Sequence, residues 1–205
     1  MLGASLLAVA LSQGVRAGEG ENAQIDSAVV VARLELGRTA KDSLLHYGSD
    51  SPLKPVDRAY FGGLSYFPVD LRFRMTGELH RYGRQRRVLV PASSDTLLYT
   101  DRFGRLMLEL EGNEFWLEVY STPGTGDLSV FFTDRTNGQQ TYGGGRYVPV
   151  RELGDGMYLI DFNEAYNPYC AYNSDYVCPL PPRQNHMSIG VTAGEKNYGP
   201  DLADH

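Results

Sequence analysis

The sequence predicts a mainly β fold, an antiparallel meander of short strands forming a small barrel or sandwich, preceded by one N-terminal helix. Three observations carry that expectation. The 205 residues include 14 Tyr and 23 Gly, and aromatics among frequent glycine turns favour strands over a helical bundle. From about residue 71 onward, apolar and polar residues alternate in short stretches, the period of a half-buried strand. Turn signals separate those stretches closely enough for hairpins to join neighbouring strands.

The helix is expected over residues 24–45. Ile25, Val29, Ala32 or Arg33 and Leu36 fall near helical spacing, Asp26 stands at the N-cap, and Gly48, Pro52 and Pro55 end the pattern. Leu71, Phe73 and Met75 then alternate with Arg72 and Arg74, and residues 88–90 and 96–100 read as further strands. Asp101-Arg102-Phe103-Gly104 reads as a turn. Leu106, Leu108 and Leu110 share a face opposite Glu109, and Glu111-Gly112-Asn113 reverses the chain into Phe115, Leu117 and Val119. After residues 123–126, Leu128, Val130 and Phe132 alternate again. Asn137-Gly138 is a tight-turn signal, and residues 157–162 complete the series. Residues 163–185 show little periodicity. A loop of this length is uncommon in a compact domain and is often functional, and its prolines favour order. No repeat or linker divides residues 18–205, which read as a single β-rich domain.

The formal charge of −6 lacks the basic footprint of non-specific nucleic-acid binding. Arg81, Arg84, Arg86 and Arg87 read as a solvated strand edge. Residues 2–11 form an uncharged apolar run, too short for a bilayer but suited to a signal peptide, and Val15-Arg16-Ala17 offers a cleavage site. Residues 1–17 are therefore expected to direct export to a periplasmic or secreted location, with a mature chain from Gly18. No Lys or Arg precedes the run, and the rival is a cytoplasmic protein whose apolar N-terminus opens a helix. No other stretch is apolar enough to span a membrane.

Several ordered motifs follow the presumed signal: Phe132-Thr-Asp-Arg-Thr-Asn-Gly138, Thr141-Tyr-Gly-Gly-Gly-Arg-Tyr147, Asp161-Phe-Asn-Glu-Ala-Tyr-Asn-Pro-Tyr-Cys-Ala-Tyr172, Cys178-Pro-Leu-Pro-Pro182 and Ala193-Gly-Glu-Lys196. Together they closely resemble the family called domain of unknown function 1684. Ser51-Pro-Leu53 and Phe61-Gly-Gly-Leu-Ser-Tyr-Phe-Pro68 look like its earlier landmarks, while Gln184 and Met187 depart from its pattern. The resemblance implies kinship and no activity.

Within these motifs, Arg146, Asp161, Asn163, Asn167, Asn185 and Glu195 are expected to meet where the long loop folds over one end of the barrel. The preferred reading is a pocket for a small polar ligand, oriented by Arg146 and the amides. The rival is a hydrolase using two of Asp134, Asp161, Glu164 and Glu195 as acid and base. A third has the motifs only maintaining the fold. Carboxylates facing across an open cleft favour the enzyme, and full burial in mutual hydrogen bonds favours the scaffold. Arg146 has Asp134 or Asp161 as its expected structural partner. Gly143 to Gly145 lack the ending of a phosphate loop and read as a bulge or a close backbone approach, so no cofactor is implied. Cys170 and Cys178 are the only cysteines. In an exported chain they are expected to form a disulfide, with buried free thiols next and a metal site involving His186 last.

Overall fold

Alternation of apolar side chains along six strands produces a closed antiparallel barrel. The computed structural model describes residues 17–199. Helix α1 (Ala17–Tyr47) precedes a short α2 (Pro55–Arg58), followed by strands β1 (Arg74–Pro91), β2 (Leu97–Leu110), β3 (Asn113–Ser121), β4 (Leu128–Phe132), β5 (Arg146–Gly154) and β6 (Met157–Asp161). Sequential strands pair throughout, and β6 returns to pair with β1 from Arg74↔Asp161 to Glu78↔Met157. The barrel interior is filled by Leu106, Leu108, Leu117, Val119, Val130, Phe132, Val148 and Ile160, all fully buried or nearly so. Each such side chain contributes about 1.5–3 kcal/mol by leaving water. Apart from Ala17, the expected signal over residues 1–17 lies outside the described residues.

Two local expectations are corrected, and one strand is added. Leu71–Phe73 is a 3-10 turn and not a strand, because the Asp70 carboxylate accepts the Arg72 N–H at 3.0 Å and supplies a local alternative to a ladder bond. Residues 101–104 lie inside β2 and not in a turn. The β2–β3 register shifts between Arg102 and Gly104, and a Cβ on Gly104 would sit 2.6 Å from the His80 carbonyl oxygen. That glycine marks a bulge where two backbones meet. Strand β5 adds to the strands read from alternation. It carries Pro149, which lacks a ladder N–H, yet Val148 and Val150 still enter the core.

Helix α1 is longer than expected, and its packed face differs. Val29 and Leu36 are 62% and 70% exposed, while Leu34 and Leu45 are buried and Arg38, Lys41 and Asp42 are partly covered. Positions 34, 38, 41 and 45 form one stripe at helical spacing. The helix meets the segments outside the strands through cations, Arg38 on Tyr66 and Lys41 on Glu195 and Tyr172, as well as through Leu45.

The long segment after Phe162 is irregular, as expected, with 3-10 turns at Phe162–Glu164, Tyr169–Ala171 and Arg183–Asn185. Single bridges tie it down: Tyr147↔Tyr166, Ala92↔Pro179 and Thr133↔His186.

Candidate functional site

The six residues expected at one pocket are all buried, and their side chains fall into four networks, two of which touch where Arg146 donates to the Glu195 carbonyl. Arg146 opens β5 and has no exposed surface. Its Nη2 lies 2.9 Å from Asp134 Oδ2 and 2.8 Å from the Val191 carbonyl, and its Nη1 donates to the Ala193 and Glu195 carbonyls. Burial pushes its pKa down, opposed by the charge and hydrogen bond of Asp134. Asp134 Oδ1 also accepts from the Thr136 amide and hydroxyl and from the Val191 amide. Of its two expected partners, Arg146 takes Asp134.

Asp161 ends β6 and pairs with Arg74 at 2.8 Å. Its other oxygen accepts from the Asn163 backbone and side-chain amides. The Asn163 side chain in turn exchanges two hydrogen bonds with the Asp70 backbone, each 2.8 Å long. That cluster locks the 3-10 turn before β1 to the turn after β6.

Asn185 stands where β3 and β4 separate after two paired positions, Tyr120↔Ser129 and Ser121↔Leu128. Its Oδ1 accepts the Glu118 N–H at 2.7 Å, and its Nδ2 donates to the Glu118 and Phe131 carbonyls. The amide therefore completes a ladder that the strands no longer make.

Glu195 is reached by Lys41, Tyr172 and the Asn167 amide, with Tyr172 Oη 2.5 Å and Asn167 N 2.8 Å from Oε2. The Asn167 side chain donates to the Lys196 carbonyl at 2.7 Å. Burial, together with the neighbouring Glu195 charge, holds the Tyr172 hydroxyl well above its ordinary pKa.

Each motif carboxylate thus faces a cation: Asp134 with Arg146, Asp161 with Arg74, Glu195 with Lys41, and Glu164 with Arg151. No two of them form a free acid–base pair. Among the described residues, no group of three or more His, Cys, Asp or Glu is placed to hold a metal ion. The glycine run serves close approach: a Cβ on Gly145, at φ +92°, would lie 2.5 Å from Pro181 Cγ. Both cysteines are free thiols in this structure.

Two of the six residues, Asn163 and Glu195, border a cavity of about 200 Å³ between α1 and residues 163–166. Its other polar wall comes from Arg33, Arg38, Lys41, Tyr66, Glu164 and Tyr166. The Arg38 guanidinium stacks 4.6 Å from the centre of the Tyr66 ring, and its Nη1 pairs with Glu35 at 3.1 Å. Arg38 Nε and Nη2 and the Tyr66 hydroxyl are buried without a hydrogen-bond partner among the described residues. Burial, reinforced by Glu195, keeps the Tyr66 pKa far above its ordinary value, so the hydroxyl retains its proton. Tyr66 is fixed by the strand-like exchange of residues 65–67 with 194–196, including Phe67 N–H to the Gly194 carbonyl at 2.9 Å. Sequence reasoning missed Arg38, Lys41 and Tyr66. The available signals were the spacing 34, 38, 41, 45 on α1 and the position of Tyr66 inside Phe61-Gly-Gly-Leu-Ser-Tyr-Phe-Pro68.

The fold and these networks define a small six-stranded β-barrel preceded by one helix and followed by a long irregular segment bridged to the strands. Residues 59–196 match the family described as Protein of unknown function (DUF1684), and the chain belongs to that family. The solution NMR structure of an uncharacterized protein of Haloarcula marismortui is similar, with 34% identity and a TM-score of 0.67. The match covers 87% of this chain and 98% of that one. No curated protein matches the chain. Among the described residues, no helix is long and apolar enough to cross a membrane.

Proposed function

We propose that the protein binds a small polar ligand bearing a carboxylate or phosphate group in the cavity between α1 and residues 163–166. The observation that carries this reading is the set of buried, unpaired donors on the wall, Arg38 Nε and Nη2 and Tyr66 Oη. Buried donors are normally satisfied, and a charged one left unpaired costs more than a neutral one. The acidic and amide side chains on the wall already have partners: Asn163 with Asp70 and Asp161, Glu164 with Arg151 through one oxygen, and Glu195 with Lys41, Tyr172 and Asn167. The buried groups left without one, on Arg38 and Tyr66, offer donation. The side-on edge of a guanidinium presents two parallel N–H groups that match two oxygens of one anion. Stacking on Tyr66 holds that fork in place.

The test is thermal stabilisation of the purified protein by inorganic phosphate, acetate, succinate and citrate. At least one anion should raise the melting temperature of the wild type, and Arg38→Gln and Tyr66→Phe should each remove most of the shift. Arg84→Gln, on the exposed part of β1, should leave it unchanged. Absence of stabilisation by every anion, or equal stabilisation of Arg38→Gln, overturns the reading.

A second reading, that the motif residues are scaffold, is supported by the full burial of Arg146, Asp161, Asn167 and Asn185. It applies to those four residues and is compatible with a ligand beside Arg38. The hydrolase reading draws no support from the geometry, since its carboxylates are engaged with cations.

A further inference from the structure

Three motifs do converge on one point, and that point is the pair of thiols. Tyr142 comes from the loop between β4 and β5, Cys170 from the 3-10 turn Tyr169–Ala171, and Cys178 from the segment running along the end of β1. The Cys170 backbone N–H donates to Cys178 Sγ at 3.3 Å, and the Tyr142 hydroxyl donates to Cys170 Sγ at 3.9 Å. The surrounding frame is fixed. Ser93 and Cys178 exchange two hydrogen bonds, Cys178 N–H to Ser93 Oγ at 3.2 Å and Ser93 N–H to the Cys178 carbonyl at 3.0 Å. Tyr147 Oη donates to the Pro179 carbonyl at 2.5 Å. Gly145 lets Pro181 pack against the backbone where a Cβ would collide. The two sulfurs are neighbours although residues 171–177 separate them in the chain.

The thiols differ in access and in hydrogen bonding. Cys178 is buried and Cys170 is half-buried. The Cys170 sulfur receives the Cys178 thiol, the Tyr142 hydroxyl and Ser93, which bring its pKa down to about 6 against the opposing effect of burial. The same contact with Cys170, reinforced by burial, pushes the Cys178 thiol up. These contacts favour the thiolate on Cys170, the more accessible sulfur, and the protonated thiol on buried Cys178. Donors gathered around one sulfur are what a nucleophilic thiolate needs, and an inert core thiol has no use for them.

We propose that Cys170 and Cys178 form a thiol–disulfide exchange site that takes a low-molecular-weight disulfide as oxidant, with Cys170 attacking and Cys178 resolving. The Cys170 thiolate attacks one sulfur of RSSR, forming a Cys170–S–S–R bond as the S–S bond of RSSR breaks and RS⁻ leaves. Cys178 then gives its proton to solvent or to the departed thiolate, and its sulfur attacks Cys170 Sγ. The Cys170–S–S–R bond breaks, the second RS⁻ leaves, and the intramolecular disulfide forms. The protein loses two electrons and two protons, and the oxidant becomes two RSH. The disulfide expected for an exported chain is then the oxidised state of a reactive pair and not only a staple. This site is independent of the anion cavity.

Oxidised glutathione at pH 7 provides the test on native protein. The wild type should lose two hydrogens by mass, with Cys170 linked to Cys178 in the peptide map and two equivalents of glutathione released. Cys178→Ser should stop at a glutathione adduct on Cys170, and Cys170→Ser should form none under the same conditions. The pH profile of iodoacetamide labelling of wild-type protein should reach half its plateau near pH 6. Rate alone discriminates poorly. Against an ordinary thiol, about 30-fold more thiolate at pH 7 is offset by about ten-fold lower nucleophilicity, leaving roughly a two- to three-fold gain. Thiols that react only after denaturation, a Cys170→Ser variant labelled as fast as Cys178→Ser, or a profile rising near that of an ordinary thiol each overturns the proposal. The wild-type crosslink and pH profile need no variant, so a serine variant that fails to fold leaves the test intact.

Discussion

Arg146 and Asp134 form an ion pair 2.9 Å long in which neither side chain has any exposed surface. The pair fixes more than itself. Arg146 also donates to the carbonyls of Val191, Ala193 and Glu195, and Asp134 accepts from Thr136 and from the Val191 amide. Two charges thus hold residues 191–195 against the open end of the barrel, and that segment in turn positions Glu195 and Tyr66 at the cavity.

Removing one member strands the other in the interior. Arg146→Ala should therefore lower the unfolding free energy by about 3–5 kcal/mol, as expected for an uncompensated buried charge. Asp134→Asn should lose less, because its amide can still accept from Thr136. Urea unfolding followed by tryptophan fluorescence at Trp116 gives both values. A cost below about 1 kcal/mol for Arg146→Ala shows that water reaches the pair on mutation and that the segment is held by other contacts.

Asn185 supplies one acceptor and two donors to three backbone groups of β3 and β4. Asn185→Asp keeps the acceptor, loses both donors and places a charge beside two carbonyl oxygens. We expect a larger loss than for Asn185→Ala, which leaves the groups unpaired without added repulsion, at about 1–3 kcal/mol for each stranded group. Hydrogen exchange should show the Glu118 amide losing protection first. Protection there that is unchanged in Asn185→Ala contradicts the role of the amide as a substitute rung.

The barrel was legible in the sequence and the site largely was not, for different physical reasons. Side-chain alternation with period two survives in Leu106, Leu108, Leu117, Val119, Val130 and Phe132 because one face of each strand must leave water. Gly104 and Asp70 defeated the same logic. A bulge and a capped turn are set by a close neighbour and by a local hydrogen bond, and neither leaves an apolar period. The face of α1 was misassigned because Arg38 and Lys41 dock it as cations, so hydrophobic spacing alone pointed at Val29 and Leu36. Arg146, Asp161, Asn163, Asn167, Asn185 and Glu195 stood out as polar residues in motif-rich segments. Their division into four networks depends on strand register and loop path, which sequence spacing does not encode.

Glu118 makes stability depend on acid. Burial raises its pKa, but hydrogen bonds from Arg105, Arg102 and Tyr82 outweigh that and hold it below the ordinary carboxylate value of 4.5. A folded-state pKa below the unfolded one gives stability that is present above the unfolded pKa and is lost as pH falls through the folded pKa. Wild-type stability should accordingly decline below about pH 4.5, and the Glu118→Gln variant should show a shallower decline over the same window. Denaturant midpoints measured from pH 6 down to pH 3 check this. Parallel curves for the two proteins assign the acid sensitivity to other carboxylates.

Lys41 and Glu195 provide the last expectation, because their environments are unequal. Glu195 is 2% exposed at the side chain, whereas Lys41 is 28% exposed. Lys41→Met removes the cation paired with the buried Glu195 carboxylate, leaving Glu195 with Tyr172 and the Asn167 amide. Glu195→Gln removes the charge from the buried member, keeps an oxygen for one of those donors, and leaves a lysine that can turn to water. The lysine change should therefore cost more, about 2–4 kcal/mol once partial exposure is allowed for, and the glutamine change about 1 kcal/mol less. Combining the two should cost less than the sum, since neither charge then remains unpaired. Lys41 is also a docking point of α1, so hydrogen exchange around residues 34–45 should accelerate in Lys41→Met while the barrel strands stay protected. Equal costs for the two single variants, or acceleration spread evenly through the barrel, would mean that α1 is held by Leu34 and Leu45 and that the ion pair contributes little to its docking.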